Sequence, residues 1–129
     1  MPLPEAPPLG ILLISGSYER AHYAFMLATA VAAMGRAVVL FATNAGCNAL
    51  CQDWSGLDGA AADAKVRDCG VAGFDALREA AVELEVGLLA CDSGLLIAGL
   101  KRTALLETVE VAGLATYLSL VGGGTMVTF

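Results

Sequence analysis

Cys91 stands where a short apolar run, Val86-Gly-Leu-Leu-Ala90, meets an Asp92-Ser93-Gly94 segment that reads as a helix start. A thiol in that position lies beside unpaired amide N–H groups, which favour the thiolate and nucleophilic chemistry at sulfur. Asp92 opposes this if its carboxylate points the same way. The plainer alternative is a buried structural cysteine, since free cysteine is among the most buried residue types. Cys47 and Cys51, four residues apart, place both sulfurs on one face of a helix. They read as a resolving pair, as half of a metal site or as small apolar fillers. Beyond Cys91 only Cys69 and His22 remain as soft ligands, and no CxxC or HxxxH pattern joins them, so neither a metal nor a cofactor is expected.

Other candidates are weaker. His22, the single histidine, is either a base near the site or a surface or interface residue. Ser15, Gly16 and Ser17 form a turn before a helix and, with Thr43 and Asn44, are candidate contacts for an anion or small molecule. The chain has no GxGxxG, no P-loop lysine and no Ser/His/Asp set, which removes the usual nucleotide and hydrolase signatures.

The elements that must position Cys91 follow from patterning. Leu9-Gly-Ile-Leu-Leu-Ile-Ser15 and Arg36-Ala-Val-Val-Leu-Phe-Ala-Thr43 are continuous apolar runs, as expected of strands covered on both faces. Between them, residues 18–34 read as a helix capped by Ser17, apolar nearly all round and so buried on more than one side. Strand, helix and strand make a right-handed βαβ unit. Residues 44–54 read as a loop entering a short helix, and 55–73 as a long mobile surface segment suited to a lid or binding role. Phe74 to Glu85 reads as an amphipathic helix with Phe74, Leu77, Ala81 and Leu84 inward and Arg78, Glu79, Glu83 and Glu85 mostly outward. Strands at 86–90, 108–112 and 125–129 alternate with helices at 93–100 and 113–120. The expected architecture is α/β, a three-layer α/β/α domain with a mainly parallel five-stranded sheet. Residues 1–8 are expected to be a disordered Pro-rich tail and residues 9–129 a single domain.

Composition sets outer bounds. The net charge of −6 repels phosphate backbones, so no nucleic acid partner is expected. The stretch from Val111 to Phe129 has no charge, but Gly122-Gly123-Gly124 breaks it, so no membrane span is expected. A hydrophobic content of 57% and mean hydropathy of +0.71 point to apolar surface buried between copies, with the first helix and the carboxyl-terminal segment as candidate interfaces. Four cysteines without an export signal point to reduced thiols and a cytoplasmic location.

Four segments together resemble the DsrE/DsrF-like family, in particular its peroxiredoxin-like branch. They are the Ser15-Gly16 turn with a helix ending Ala33-Met34-Gly35; Val39-Leu-Phe-Ala-Thr43 with Gly46 and Asn48-Ala-Leu50; Leu89-Ala90-Cys91 with Ser93 and Gly99-Leu100; and Val109-Glu-Val-Ala-Gly113 through Leu118. The resemblance covers about Leu9 to Phe129. It implies an α/β/α oligomer, a trimer or hexamer of this chain, engaged in intracellular sulfur trafficking with sulfur donor and acceptor proteins as partners. It further implies that Cys91 accepts sulfane sulfur as a persulfide and relays it, a sulfurtransferase-like role; Cys47, Cys51, Asp92 and Ser93 are candidate auxiliary residues by their positions in this sequence, not by the resemblance. The alternative is a non-catalytic oligomeric binding or assembly module of the same fold. The chain departs from the family pattern at Cys47, where a large apolar residue is common, at Cys51, where a basic one is, and at Gly94, where a methionine is.

Overall fold

The computed structural model describes residues 6–129, so residues 1–5 of the expected tail lie outside the described residues. The end of that tail is tied down: Arg36 Nε donates to the Pro7 carbonyl at 2.7 Å. Five strands, β1 (Leu9–Leu13), β2 (Val38–Ala42), β3 (Gly87–Cys91), β4 (Glu110–Ala112) and β5 (Thr125–Thr128), form one sheet in the order β4-β3-β2-β1-β5. Every neighbouring pair is parallel. The helices are α1 (Tyr18–Ala33), α2 (Asp63–Asp68), α3 (Phe74–Glu83), α4 (Asp92–Ala98) and α5 (Leu114–Val121). The α/β class and the five-stranded parallel sheet are therefore as the apolar runs indicate.

The strand order sorts the helices between the two faces. From β1 to β4 the chain steps steadily toward one edge, and α1, α3 and α4 cover one face. Leu9, Ile11, Leu13, Val38, Leu40, Leu88 and Ala90 point into that layer, against Phe25, Phe74 and Leu95. From β4 the chain returns across the sheet to β5, and α5 covers the other face with Tyr117 and Val121. These pack on Phe41, Leu89 and Cys91. Tyr117 stacks on Phe41 with ring centroids 5.0 Å apart.

Three local expectations are corrected. The 55–73 segment is built into the fold, with a 3₁₀ turn at Ala60–Ala62, then α2, and a buried Leu57 and Asp63. Asp63 accepts from the Tyr18 hydroxyl at 2.5 Å, from the Phe74 amide at 2.8 Å and from Arg67 Nε at 3.2 Å, stitching α1, α2 and α3 together. Helix α1 buries one stripe, Tyr18, Ala21, His22, Ala24, Phe25 and Ala28, and leaves Tyr23 exposed, as is Met34 just past its end. Arg78 is buried, 6% exposed, where outward placement is expected. Its position follows from helix geometry: 74, 77, 78 and 81 are i, i+3, i+4 and i+7, one continuous stripe. Its guanidinium donates to the carbonyls of Ala49, Cys51 and Gln52 and lies over the Phe74 ring.

Candidate functional site around Cys91

Cys91 is the last residue of β3, and side-chain alternation turns its sulfur toward the α5 face. It pairs in register with Ala112, at the end of β4. The connection leaving β3 runs over one face and the connection leaving β4 over the other. Their carboxyl ends therefore lie at a topological switch point, the place at which open α/β sheets bind ligands.

Cys91 is buried, 6% exposed, and its sulfur is well supplied with donors. The Gly94 amide donates to Sγ at 3.4 Å, making Cys91 the residue that caps α4, and Ser93 Oγ lies 3.3 Å from Sγ. Burial pushes the thiol up. Hydrogen bonds from the hydroxyls of Ser93 and Thr43 and the amides of Gly94 and Ser93 outweigh it and leave the thiol below its ordinary range. Asp92 is the opposing charge: its Oδ1 accepts from the Ser93 amide at 2.7 Å and stays 4.0 Å from the sulfur.

Thr43 and Asn44 reach this place because β2 lies beside β3 and both carboxyl ends open on the same edge. Asn44 takes a left-handed φ of 51° as the chain turns into the 3₁₀ segment Asn44–Leu50, a conformation asparagine tolerates better than most residues. The first turn of α4 fits against it only because residue 94 is glycine. A Cβ there would lie 2.5 Å from both Asn44 N and Thr43 Oγ1.

The other cysteines are chemically different. Cys47 is fully buried, its thiol 3.5 Å from the Ala42 carbonyl, and burial together with the nearby Cys91 sulfur pushes it up to about 12. It caps no helix, and its side chain belongs to the opposite packing layer from Cys91. Cys51 directs its thiol to the Cys47 carbonyl at 3.6 Å, and burial raises it despite the neighbouring Arg78. Cys69 is exposed at the end of α2. Cys47, Cys51, Cys69 and Cys91 are all free thiols. His22 is buried, its Nε2 2.8 Å from the Ala72 carbonyl, and packs beside Tyr18.

The Ser15-Gly16-Ser17 turn is largely occupied by the protein itself. Ser17 caps α1 as its position suggests, accepting from Arg20 N, while the Tyr18 amide donates to the Asp58 carbonyl at 2.8 Å. Asp58 N in turn donates to the Gly16 carbonyl at 2.8 Å. The structure thus gathers Cys91, Asp92, Ser93 and Thr43 into one locus and leaves Cys51, Cys69 and His22 outside it. Gly94 and Thr43 matter as the sulfur's surroundings, which only the β2–β3 pairing reveals.

No known family profile matches the chain, and no curated protein matches it. Solved structures do share its fold. The ychN protein from E. coli superposes with a TM-score of 0.72 at 16% identity, covering 95% of this chain and 99% of that one. MTH1491 from Methanobacterium thermoautotrophicum, described as a protein of unknown function, gives 0.67 at 16% identity with the same coverage. Among the described residues no helix is long and apolar enough to cross a membrane.

Proposed function

We propose that this chain is a sulfur carrier of the DsrE/DsrF-like type that accepts sulfane sulfur on Cys91 and relays it to a partner. The observation that carries the reading is the sulfur's setting: a thiol held below its ordinary range by the Ser93 and Thr43 hydroxyls and the Gly94 amide, at the carboxyl end of β3. The chemistry balances without an external oxidant. The Cys91 thiolate attacks the terminal sulfur of a persulfide R–S–SH, the donor's S–S bond breaks, R–S⁻ leaves, and Cys91–S–SH forms. The donors that favour the thiolate also suit the terminal anion of the product persulfide. The reading assigns the protein to the cytoplasm, where thiols stay reduced.

Incubation with a persulfide or polysulfide donor, followed by intact and peptide mass spectrometry, tests this. One added sulfur atom on Cys91, lost in Cys91→Ser, is the expected result. An unmodified Cys91 under conditions that load a free thiol overturns it.

A second reading, a non-catalytic assembly module, is favoured by a different observation. Leu114, Leu118, Leu120 and Met126 are 45–53% exposed on α5 and β5, a large apolar area for a single chain. A homo-oligomer, a trimer or hexamer, would cover it. Light scattering that returns the 13.1 kDa monomer mass would remove the oligomer from either reading.

A further inference from the structure

Beside the candidate nucleophile lies a cleft of about 570 Å³, whose walls include Asp92, Ser93, Leu96, Lys101 and Arg102. Ser93 belongs to both places, since its hydroxyl is 3.3 Å from the Cys91 sulfur and it also forms the cleft wall. The cleft is open to solvent and Cys91 is not one of its walls, so Ser93 is the residue that links the two. The walls combine apolar carbon, with Leu96 83% exposed, and two adjacent cations, Lys101 and Arg102, neither in an ion pair among the described residues. Both cations are exposed. Asp92 supplies one opposing charge. In a chain of net charge −6 with only seven basic residues, a cleft lined by two of them and one carboxylate carries a local excess of positive charge.

We infer that this cleft seats the body of a small, carboxylate-bearing thiol persulfide, with its carboxylate on Lys101 and Arg102 and its sulfane sulfur directed past Ser93 to Cys91. The inference rests on Cys91 being the sulfur acceptor. It names the donor class: a low-molecular-weight anionic persulfide, in preference to a neutral or cationic one. Transfer follows the balanced step above, with the anionic thiol R–S⁻ as the leaving group, held by the same cations.

Charge selectivity at Cys91 can be measured apart from sulfur transfer, in a Cys69→Ser background that removes the exposed thiol. The probes are dithiobis-nitrobenzoate, a dianionic aromatic disulfide, and dithiodipyridine, a neutral one. Reversing both cations, Lys101→Glu with Arg102→Glu, is expected to slow the anionic probe about tenfold relative to the neutral one, an effect that fades at molar salt. Lys101→Glu alone should lower the ratio while Lys65→Glu, an exposed reversal outside the cleft with the same net charge, leaves it unchanged. An unchanged ratio in the double variant overturns the cleft's role, even if Cys91 loads sulfur normally. A changed ratio with no sulfur loading upholds the anion preference and refutes the carrier reading on which the donor assignment depends.

Discussion

Gly94 and Thr43 meet so closely that the α4 glycine has no room for a methyl group: a Cβ would come within 2.5 Å of Thr43 Oγ1 and of the neighbouring Asn44 amide nitrogen. The contact joins the start of α4 to the end of β2 and thereby sets the distance from the Cys91 sulfur to its donors. Gly94→Ala must push backbone, since the Asn44 amide cannot rotate away as a side-chain tip can. Destabilisation of about 1–3 kcal/mol by urea unfolding is expected, typical of overpacking. Slower thiol labelling of Cys91 at neutral pH should accompany it as the Gly94 amide and Thr43 hydroxyl are displaced.

The pH profile of Cys91 alkylation should have its midpoint below the 9.0 of an ordinary thiol. Ser93→Ala and Thr43→Val each remove a donor to the thiolate and leave the burial that opposes it, so each moves the midpoint up. At pH 7 the rate should fall roughly three- to tenfold per variant, the equivalent of one hydrogen bond. A profile that Ser93→Ala leaves in place would mean the hydroxyl does not face the sulfur in solution.

Cys47 behaves oppositely. Its folded value, pushed up to about 12, exceeds the unfolded 9.0, so the folded state binds more protons between those limits. Its contribution to stability is complete below pH 9 and lost as pH rises toward 12. Denaturation monitored across that range should show a decline that is shallower in Cys47→Ala, once that variant's pH-independent cavity cost of about 1–2 kcal/mol is subtracted. A parallel decline in both proteins would contradict the assignment.

Arg78→Met removes a buried guanidinium that donates to the carbonyls of Ala49, Cys51 and Gln52. These carbonyls lose their donor while the apolar stem is retained, so a loss of about 2–4 kcal/mol is expected from urea unfolding. Arg78→Lys should recover only part of it, because one ammonium cannot span three acceptors. Full recovery by lysine would show that charge alone matters there.

The three central strands, β1, β2 and β3, are legible in the amino-acid sequence because they are buried on both faces and therefore continuously apolar. Leu9–Leu13 and Val38–Ala42 sit inside the expected runs. Elsewhere tertiary partners decide the outcome. Asp63 lies in a stretch of Gly, Ala and Asp without periodicity, and only contacts with Tyr18 and Phe74 give it a reason to be buried. Arg78 looks like a solvated charge until the carbonyls of residues 49–52 are brought over it, although its spacing from Phe74 and Ala81 carries the signal. At the site, Cys91 and Ser93 are neighbours in the chain, while Thr43 joins them only through strand pairing, which no local pattern encodes.

The position of β5 has a consequence for how the molecule comes together. It pairs with β1, Leu9 opposite Thr125, so the two strands farthest apart in the described chain must find each other. During synthesis β1 waits with one edge bare until β5 emerges from the ribosome, and pairing of such high sequence separation is slow and exposed to aggregation. The α5 layer over Phe41, Leu89 and Cys91 closes in the same late step. The surroundings of the sulfur are thus completed late, and an unfinished chain carries Cys91 without its cover.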